Sequence, residues 1–347
     1  MYPALAVHSA LKARIPDMDT LWVGGEAGLE QSLVKRQGIA FQSIPAAGMH
    51  GVGLATMPRN LILLGRGIFA ATRILHEFDP DVLFFTGGYV AVPVALAGRS
   101  IPILLYVPDI EPGIALKSLA RFSDVIAVTT DQSQRYFKKE VFETGYPLRE
   151  DLALWDRQTA HRHLGISGEL PTLLVFGGSQ GARSINMAVL RHLRALLEKL
   201  EIIHLTGESD WQSVNAEREQ LPAELAAHYH ALPYLHEMGA ALAAADLVVS
   251  RAGASCLGEF PLFGLPAVLV PYPHAWRYQK VNADYLARRG AAVLLEDHRL
   301  NDELLLTLGV LLDNPNKLKA MRAAMFGLSH PRAADKIASA LIQLAGD

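Results

Sequence analysis

The sequence has almost no cysteine and no long apolar run. Cys256 is its only cysteine among 347 residues, so the chain can form neither an internal disulfide nor a zinc site built from thiolates. No apolar run approaches the ~18 residues that cross a bilayer, and no basic segment precedes an apolar core at residues 1–5. We therefore expect a cytoplasmic protein that is neither secreted nor membrane-spanning.

The sequence also lacks an excess of positive charge. Lys and Arg number 32 against 35 Asp and Glu, which gives a formal net charge of −3. A protein that binds nucleic acid through its phosphates needs a basic surface, so nucleic acid is not an expected partner. The chain is 50% hydrophobic, and its length is sufficient to bury two hydrophobic cores.

Short apolar runs alternate with Gly-rich turns and helical segments along the whole chain, which predicts parallel sheets with crossover helices. The predicted strands are residues 20–23, 82–86, 103–107, 125–128, 172–176, 202–206, 247–250 and 267–270. Residues 145–149 separate the two sets, so we expect domains at 1–148 and 149–316. The fold class is α/β, with two Rossmann-like parallel-sheet domains facing across a cleft.

The first helix has no strand before it. Residues 4–13 have the pattern of a helix that follows a first strand and its loop, and neither precedes them. We expect a neighbouring strand edge, or the underside of the helix at residues 4–11, to be left uncovered in the first domain.

The strongest chemical motif is the Gly-rich segment at residues 177–186, which follows a buried strand and opens a helix. Glycines allow backbone amides to approach a diphosphate, the helix N-terminus favours negative charge, and the Ser179 hydroxyl can donate to a phosphate oxygen. A tight strand-to-helix turn without a ligand remains the alternative. NAD is disfavoured because the spacing is G-G-x-x-G and the next acid after a strand, Glu208, lies too far along.

A second motif, residues 248–259, has a small-residue turn between a strand and a helix. We place Glu259 about two turns into that helix, where its carboxylate can accept hydrogen bonds from both ribose hydroxyls of a nucleotide. The alternative is an ordinary surface glutamate.

The third motif, residues 270–283, leads from a strand into a helix. Gln279 and Asn282 share one face of that helix, and neutral amides both donate to and accept from sugar hydroxyls. Helix capping and surface polarity are the alternative.

Two Gly-rich loops of the first half, residues 48–53 and 86–93, predict a second ligand that carries phosphate. Three other patterns predict no metal site. Asp17-x-Asp19 lies far from any Gly-rich loop, and His161-x-His163 and His228-x-His230 fall on presumed helices, where residues two apart do not face each other. We expect those histidines to be solvated or to cap helices.

Residues 57–75 form an amphipathic segment. Arg59, Arg66 and Arg73 recur every seven residues, which places them along one helix face. Leu61, Leu64, Ile68 and Phe69 supply apolar surface. This pattern is equally typical of a helix that lies on an anionic membrane and of one that covers a sheet.

These motifs together resemble the peptidoglycan N-acetylglucosaminyltransferases of glycosyltransferase family 28. The matching segments follow the family's order along essentially the whole chain; they are residues 48–53, 86–93, 145–149, 177–186, 250–259 and 274–283. The resemblance implies a GT-B fold and an inverting, metal-independent transfer from UDP-N-acetylglucosamine, with no cofactor. It further implies a muramoyl-pentapeptide acceptor on undecaprenyl diphosphate (lipid I to lipid II) and an enzyme bound peripherally to the anionic inner face of the cell membrane.

The resemblance also implies roles for single residues. On the donor side it implies Ser179 and Gln180 near the diphosphate, Arg149 near a phosphate, Leu235 against uracil, the Ala254 amide on phosphate, Glu259 on ribose, and Gln279 with Asn282 on sugar hydroxyls. On the acceptor side it implies Gly87, Gly88, Tyr89 and Asp109. The family's proposed general-base histidine would precede Met1, so no catalytic residue is predicted within the chain. The closing segment, residues 317–347, is expected to pack on the first domain.

The sequence departs from the family at the acceptor side, where Tyr-Val-Pro-Asp at residues 106–109 replaces H-E-Q-N. Tyr278 stands where the family usually has Gln or His, and Cys256 stands where it usually has Thr. Two other hypotheses therefore stay open: a UDP-sugar transferase for another lipid or small-molecule acceptor, and a relative that binds UDP-sugar without transferring it.

Overall fold

The computed structural model describes residues 1–26, 30–46, 57–178, 180–274 and 277–346. The chain divides into two compact units, the first formed by Met1–Pro147 with Arg332–Asp347 and the second by Leu148–Pro331. The division after Pro147 lies one residue before the expected boundary. Each unit is built on parallel strands with helices between them, so the predicted α/β class is confirmed.

The strands of the described residues are β1 Leu21–Gly25, β2 Ala40–Ile44, β3 Leu83–Phe85, β4 Ile103–Val107, β5 Val125–Val128, β6 Phe142–Glu143, β7 Thr172–Phe176, β8 Glu201–Leu205, β9 Tyr229–Leu232, β10 Leu247–Ser250, β11 Ala267–Leu269 and β12 Ala292–Leu294. The α-helices are α1 Tyr2–Arg14, α2 Glu30–Arg36, α3 Met57–Phe78, α4 Ala91–Ala97, α5 Ile114–Leu119, α6 Arg157–Leu164, α7 Arg183–Arg191, α8 Leu193–Leu197, α9 Trp211–Glu219, α10 Ala223–Ala226, α11 Met238–Ala244, α12 Glu259–Phe263, α13 Tyr278–Arg288, α14 Leu300–Leu312, α15 Pro315–Phe326 and α16 Ala333–Gly346.

The first unit has a parallel sheet in the order β3-β4-β5-β6 and a separate parallel pair, β1-β2. Every residue of β4 is buried because both faces of the sheet are covered. Leu105 and Val107 point into a core with α3, α4 and α5, whereas Leu104 and Tyr106 point into a second core with Val7 of α1 and residues of α16. The two ends of the chain thus cover one face of the same sheet.

A cavity of about 280 Å³ lies in the first unit. It is lined by β1 and β3 residues, by the underside of α1 from Ala4 to Leu11, and by apolar side chains of α3 and α4. β1 and β3 do not pair with each other in the described residues. The cavity therefore lies where the sequence predicts uncovered apolar surface. The buried hydroxyl of Thr20, another lining residue, has no hydrogen-bond partner.

The second unit contains a six-stranded parallel sheet in the order β12-β11-β10-β7-β8-β9. Its central strands are continuous apolar runs, since α-helices cover both of their faces. Strands β8 and β9 are added on one side of β7 in chain order. The chain then crosses to the other side of β7, where β10, β11 and β12 are added in turn.

One domain assignment is wrong. Residues 317–331 were expected to return to the first domain with the rest of the closing segment, but they belong to the second unit. There α15 packs against α12 and α14, burying Met321 and Met325. The return to the first unit begins at Arg332 and consists of α16. Among the described residues, no helix is sufficiently long and apolar to cross a membrane.

The pair His228-x-His230 does not lie on a helix as expected. β9 begins at Tyr229, and His230 on this strand contacts the buried carboxylate of Glu201 through Nε2 at 3.0 Å. The same carboxylate accepts a hydrogen bond from the backbone N–H of Ser167 at 2.9 Å. His161 and His163 do lie on α6, where the His161 ring is within hydrogen-bond distance of the Ala244 carbonyl.

Candidate functional site

The candidate site lies at the carboxyl ends of β7 and β10. These strands are neighbours, but the chain runs from β7 toward one edge of the sheet and from β10 toward the other. The loops that follow them consequently diverge, and open parallel sheets bind ligands at such a switch point. The two strongest motifs of the sequence follow these two strands.

The loop after β7 is held in conformations that suit glycine. Gly178 and Gly181 have φ values of 96° and 80°, and the Gly181 N–H donates to the Gly178 carbonyl at 3.0 Å. α7 begins two residues later at Arg183, so its unpaired backbone N–H groups lie beside the loop. Gln180 is exposed, and Ser179 lies outside the described residues.

A second loop supports the first, and sequence reasoning missed it. A Cβ on Gly181 would lie 2.1 Å from the carbonyl oxygen of Thr206, and one on Gly207 would lie 2.5 Å from the Gly181 nitrogen. The two loops are therefore in backbone contact. The available signal was the predicted strand at residues 202–206 followed directly by Gly207.

A buried polar network lies beneath these loops. Asn186 of α7 donates through Nδ2 to the Thr206 carbonyl at 2.8 Å and to Asp210 at 2.9 Å. Its Oδ1 can only accept, so the His204 Nε2 at 3.0 Å carries the proton. His204 Nδ1 then accepts from the Tyr229 hydroxyl at 2.8 Å. The network fixes one tautomer of neutral His204 and anchors Thr206 under Gly181.

Complete burial lowers the pKa of His204 to about 3, so we expect the stability of the second unit to depend on pH. The unfolded chain takes up a proton at His204 near pH 6.5, whereas the folded chain does not. The contribution of neutral His204 to the stability of the folded state is complete above pH 6.5 and is lost as the pH falls toward 3. Within this range the folding equilibrium constant falls by up to about tenfold per pH unit. Urea unfolding between about pH 7 and 4.5 should show a shallower acid dependence in His204→Gln than in the parent. The exposed His298→Gln serves as control, and equal slopes in all three proteins would refute the assignment.

Glu259 lies elsewhere on its element than expected. It does not sit two turns into a helix: residues Ala254–Leu257 form a 3-10 helix, and Glu259 is the first residue of the short α12. The side chain is half-buried, and burial raises its pKa, while a hydrogen bond from Ser255 and the charge of Arg149 act in the opposite direction. The carboxylate thus lies beyond the carboxyl end of β10, where the charge of Arg149 acts on it.

The remaining motif residues hold the neighbouring loops. Ala254 is the first residue of the 3-10 helix, a position where backbone N–H groups have no partner within the helix. Gln279 accepts the Tyr272 N–H at 2.8 Å through Oε1. Asn282 is fully buried and donates to the Ala252 carbonyl at 3.2 Å. Both amides therefore orient the segments that end β10 and β11, and direct contact with a sugar stays a prediction.

Arg149 and Leu235 belong to the same unit. Arg149 forms a half-exposed ion pair with Asp151 at 3.4 Å. Leu235 is half-buried and follows β9, where the backbone continues to pair with the end of β8 through Thr206 N–H and Gly207 N–H. Their contacts with phosphate and uracil stay predictions.

In the first unit, the predicted acceptor residues follow the adjacent strands β3 and β4. Gly87 and Gly88 have φ values of 109° and 93°, and Tyr89 is 55% exposed. The loop that carries Asp109 is held on either side, by Thr129 Oγ1 donating to the Pro108 carbonyl at 2.7 Å and Ser133 Oγ donating to the Ile110 carbonyl at 2.9 Å. The predicted loop at residues 48–53 lies outside the described residues.

The amphipathic segment is a helix, α3. Ile62 and Phe69 are 65% and 78% exposed, whereas Leu64 and Ile68 are half-buried, so the predicted apolar face is wrong in part. Arg59, Ile62, Arg66, Phe69 and Arg73 follow alternate steps of three and four residues and form one exposed stripe of cations and apolar side chains.

Comparison with known proteins places both units in one family. Residues 1–128 match the profile of the glycosyltransferase family 28 N-terminal domain, and residues 172–337 match that of its C-terminal domain.

Two curated relatives match the chain over nearly its full length. Both are named UDP-N-acetylglucosamine--N-acetylmuramyl-(pentapeptide) pyrophosphoryl-undecaprenol N-acetylglucosamine transferase. The protein of Roseiflexus sp. is 40% identical, covering 97% of this chain and 91% of its own. The protein of Desulforudis audaxviator is also 40% identical, covering 100% and 95%. The crystal structure of Acinetobacter baumannii MurG matches with a TM-score of 0.79 and 27% identity, covering 99% of this chain and 95% of that one.

Proposed function

The chain belongs to glycosyltransferase family 28, and we propose that it transfers N-acetylglucosamine from UDP-N-acetylglucosamine to N-acetylmuramoyl-pentapeptide on undecaprenyl diphosphate. The observation that carries the proposal is the pair of loops at the β7–β10 switch point, whose glycines and helix N-terminus suit a diphosphate. The names of the full-length relatives support the identity of donor and acceptor.

The proposed step is a single displacement at the anomeric carbon. A hydroxyl of the acceptor sugar attacks C1 of N-acetylglucosamine and loses its proton to solvent water, while the bond from C1 to the diphosphate oxygen breaks and UDP leaves. Negative charge grows on the diphosphate in the transition state, so donors already aimed at it lower the barrier. The Gly177–Gly181 loop, the first turn of α7 and Arg149 take this role, with Ser179 and Gln180 contributing from the loop.

The uridine end fixes the donor in place. Glu259 accepts hydrogen bonds from the two ribose hydroxyls, Leu235 packs against uracil, and the Ala254 amide donates to phosphate. Gln279 and Asn282 are assigned to the sugar hydroxyls, as the resemblance to the family implies. The acceptor diphosphate binds the Gly87–Gly88 turn, beside Tyr89 and Asp109.

A direct assay tests the proposal. Purified protein is incubated with UDP-N-acetylglucosamine and a detergent-solubilised prenyl-diphospho-muramoyl-pentapeptide, and UDP release and the mass of the lipid product are followed. We expect release that depends on this acceptor and a product heavier by one N-acetylhexosamine. A prenyl diphosphate that carries another sugar in place of the muramoyl-pentapeptide is the control. Equal transfer to that control would favour another lipid acceptor, and UDP binding without transfer would favour a non-catalytic relative.

An acceptor with a polyprenyl tail stays in the bilayer, so we propose that α3 docks on the anionic inner surface of the membrane. Its exposed stripe supplies cations for lipid headgroups and apolar side chains for the interface. Arg73 is less available than the others, since its Nε forms an ion pair with Glu77 at 2.7 Å.

Replacing Arg59 and Arg66 by Gln should weaken binding to phosphatidylglycerol-containing vesicles at low salt by roughly tenfold or more, because each cation near an anionic surface contributes about 1 kcal/mol. Co-sedimentation measures the effect, and added salt should reproduce it. Arg73→Gln is the matched control and should have a smaller effect, because Glu77 already offsets its charge. A double variant that binds as well as the parent would make α3 an ordinary cover for the sheet.

A further inference from the structure

One arginine lies beneath the loops that follow β7 and β10, which we call the donor loops. It has no role in the proposed chemistry. Arg251 is the first residue after β10, and its side chain is 11% exposed. Its NH1 donates to Asp297 Oδ1 at 2.5 Å and to the Val270 carbonyl at 3.2 Å. Its NH2 donates to Ser184 Oγ at 2.7 Å, and that hydroxyl donates to the same Asp297 oxygen at 2.7 Å. We call Arg251, Ser184 and Asp297 the Arg251 cluster.

The cluster joins segments that follow four different strands. Ser184 belongs to the first turn of α7, after β7, and Arg251 begins the loop after β10. Val270 directly follows β11, and Asp297 begins the 3-10 helix after β12. The cluster therefore connects the segments that follow the carboxyl ends of four neighbouring strands, β7, β10, β11 and β12.

The cluster also reaches the amides of the third motif. The Arg251 guanidinium lies 5.3 Å from the centre of the Tyr272 ring, and the Tyr272 N–H donates to Gln279. On its other side, Ala252 follows Arg251 directly and accepts from Asn282. A shift of the guanidinium would thus move the donor loop after β10 and both amides together.

We infer that the Arg251 cluster positions the donor loops and thereby sets the affinity for the diphosphate of the sugar nucleotide. This inference rests on the proposed function. Arg251 acts through the loops rather than as a phosphate ligand. One terminal nitrogen already donates to Ser184, and the other donates to Asp297 and to the Val270 carbonyl. The planar fork, and not the charge alone, is required to hold both directions at once.

Arg251→Lys separates positioning from simple attraction of charge, because lysine keeps the charge but offers one nitrogen. We expect the dissociation constant for UDP, measured by titration calorimetry, and the KM for UDP-N-acetylglucosamine to rise by roughly tenfold or more. The KM for the acceptor should not change. Ser184→Ala should move both constants in the same direction by a smaller factor, and the double variant should lose less than the product of the two single losses.

A matched control lies at the opposite edge of the same two strands. Arg157 forms a two-pronged ion pair with Asp246 at 2.6 and 2.7 Å, and Asp246 also accepts the Thr172 N–H at the start of β7. Arg157 is 46% exposed, so Arg157→Lys should lower the melting temperature of the protein by no more than Arg251→Lys does, and it should leave UDP affinity unchanged.

The outcomes distinguish the two proposals. If the parent protein does not bind UDP, the proposed function fails. If the parent binds UDP and Arg251→Lys binds it equally well, the positioning inference fails while the function stands. If Arg157→Lys loses UDP affinity as much as Arg251→Lys, the effect is general destabilisation and the inference is also overturned.

Discussion

Alanine at Gly181 should destroy the diphosphate loop. The new Cβ would lie 2.1 Å from the Thr206 carbonyl oxygen, and the residue would also have to keep a φ of 80°. Neither backbone can move freely, since Asn186 holds the Thr206 carbonyl from below. We expect the free energy of unfolding to fall by about 2 kcal/mol or more and UDP affinity to fall at least about tenfold. Urea unfolding and calorimetric titration measure the two effects.

Gly290→Ala is the matched control for this substitution. Gly290 has a φ of 71°, close to that of Gly181, but a Cβ there would meet no atom within 4 Å. The control therefore imposes the strain of a left-handed residue without a backbone clash. It should lose a smaller part of the stability and none of the UDP affinity. Similar losses in both variants would show that the contact between the Gly181 and Thr206 loops is unimportant.

Removing the carboxylate of Glu259 should weaken UDP binding by roughly 1 to 3 kcal/mol, because two charge-assisted hydrogen bonds to the ribose are lost. Glu259→Ala is measured by calorimetric titration with UDP and with 2′-deoxy-UDP. The parent should prefer UDP, and the variant should lose most of that preference. The exposed Glu224→Ala in the same unit is the control.

A variant that still distinguishes the two nucleotides as the parent does would contradict the ribose assignment. The pH dependence gives a second readout. Because burial raises the pKa of Glu259, the protonated form begins to accumulate at a higher pH than for an exposed glutamate. UDP affinity of the parent should therefore decline on acidification, and that decline should be smaller in Glu259→Ala.

The interior strands were predictable and most edge strands were not. β4, β5, β7 and β10 begin and end where the sequence predicts, since strands covered on both faces are continuous apolar runs. The four strands without a prediction, β2, β6, β9 and β12, all lie at the edge of a sheet. β1 and β3 are edges as well, but both line the apolar cavity and therefore have the composition of interior strands.

The site was predictable in its loops but not in its side-chain contacts. Glycine and small residues after β7 and β10 identify the turns, because backbone conformation is encoded locally. The partners of polar side chains are not encoded locally. Arg251 and Asp297 are 46 residues apart, and Asn282 binds a carbonyl 30 residues earlier in the chain. Such pairs form only when the sheet brings separate strand ends together.

The packing of α16 on the first unit has a consequence for the order in which the protein is made. The core that contains Leu104 and Tyr106 of β4 is closed by Ile337 and Leu341, which leave the ribosome only after the whole second unit. The second unit is complete once Pro331 has been synthesised, whereas the first unit, although begun earlier, still lacks one cover of its sheet. Domains usually fold in the order of their synthesis. In this chain the order is reversed for the step that completes the first unit, whose nascent sheet keeps an apolar face uncovered until α16 has been synthesised.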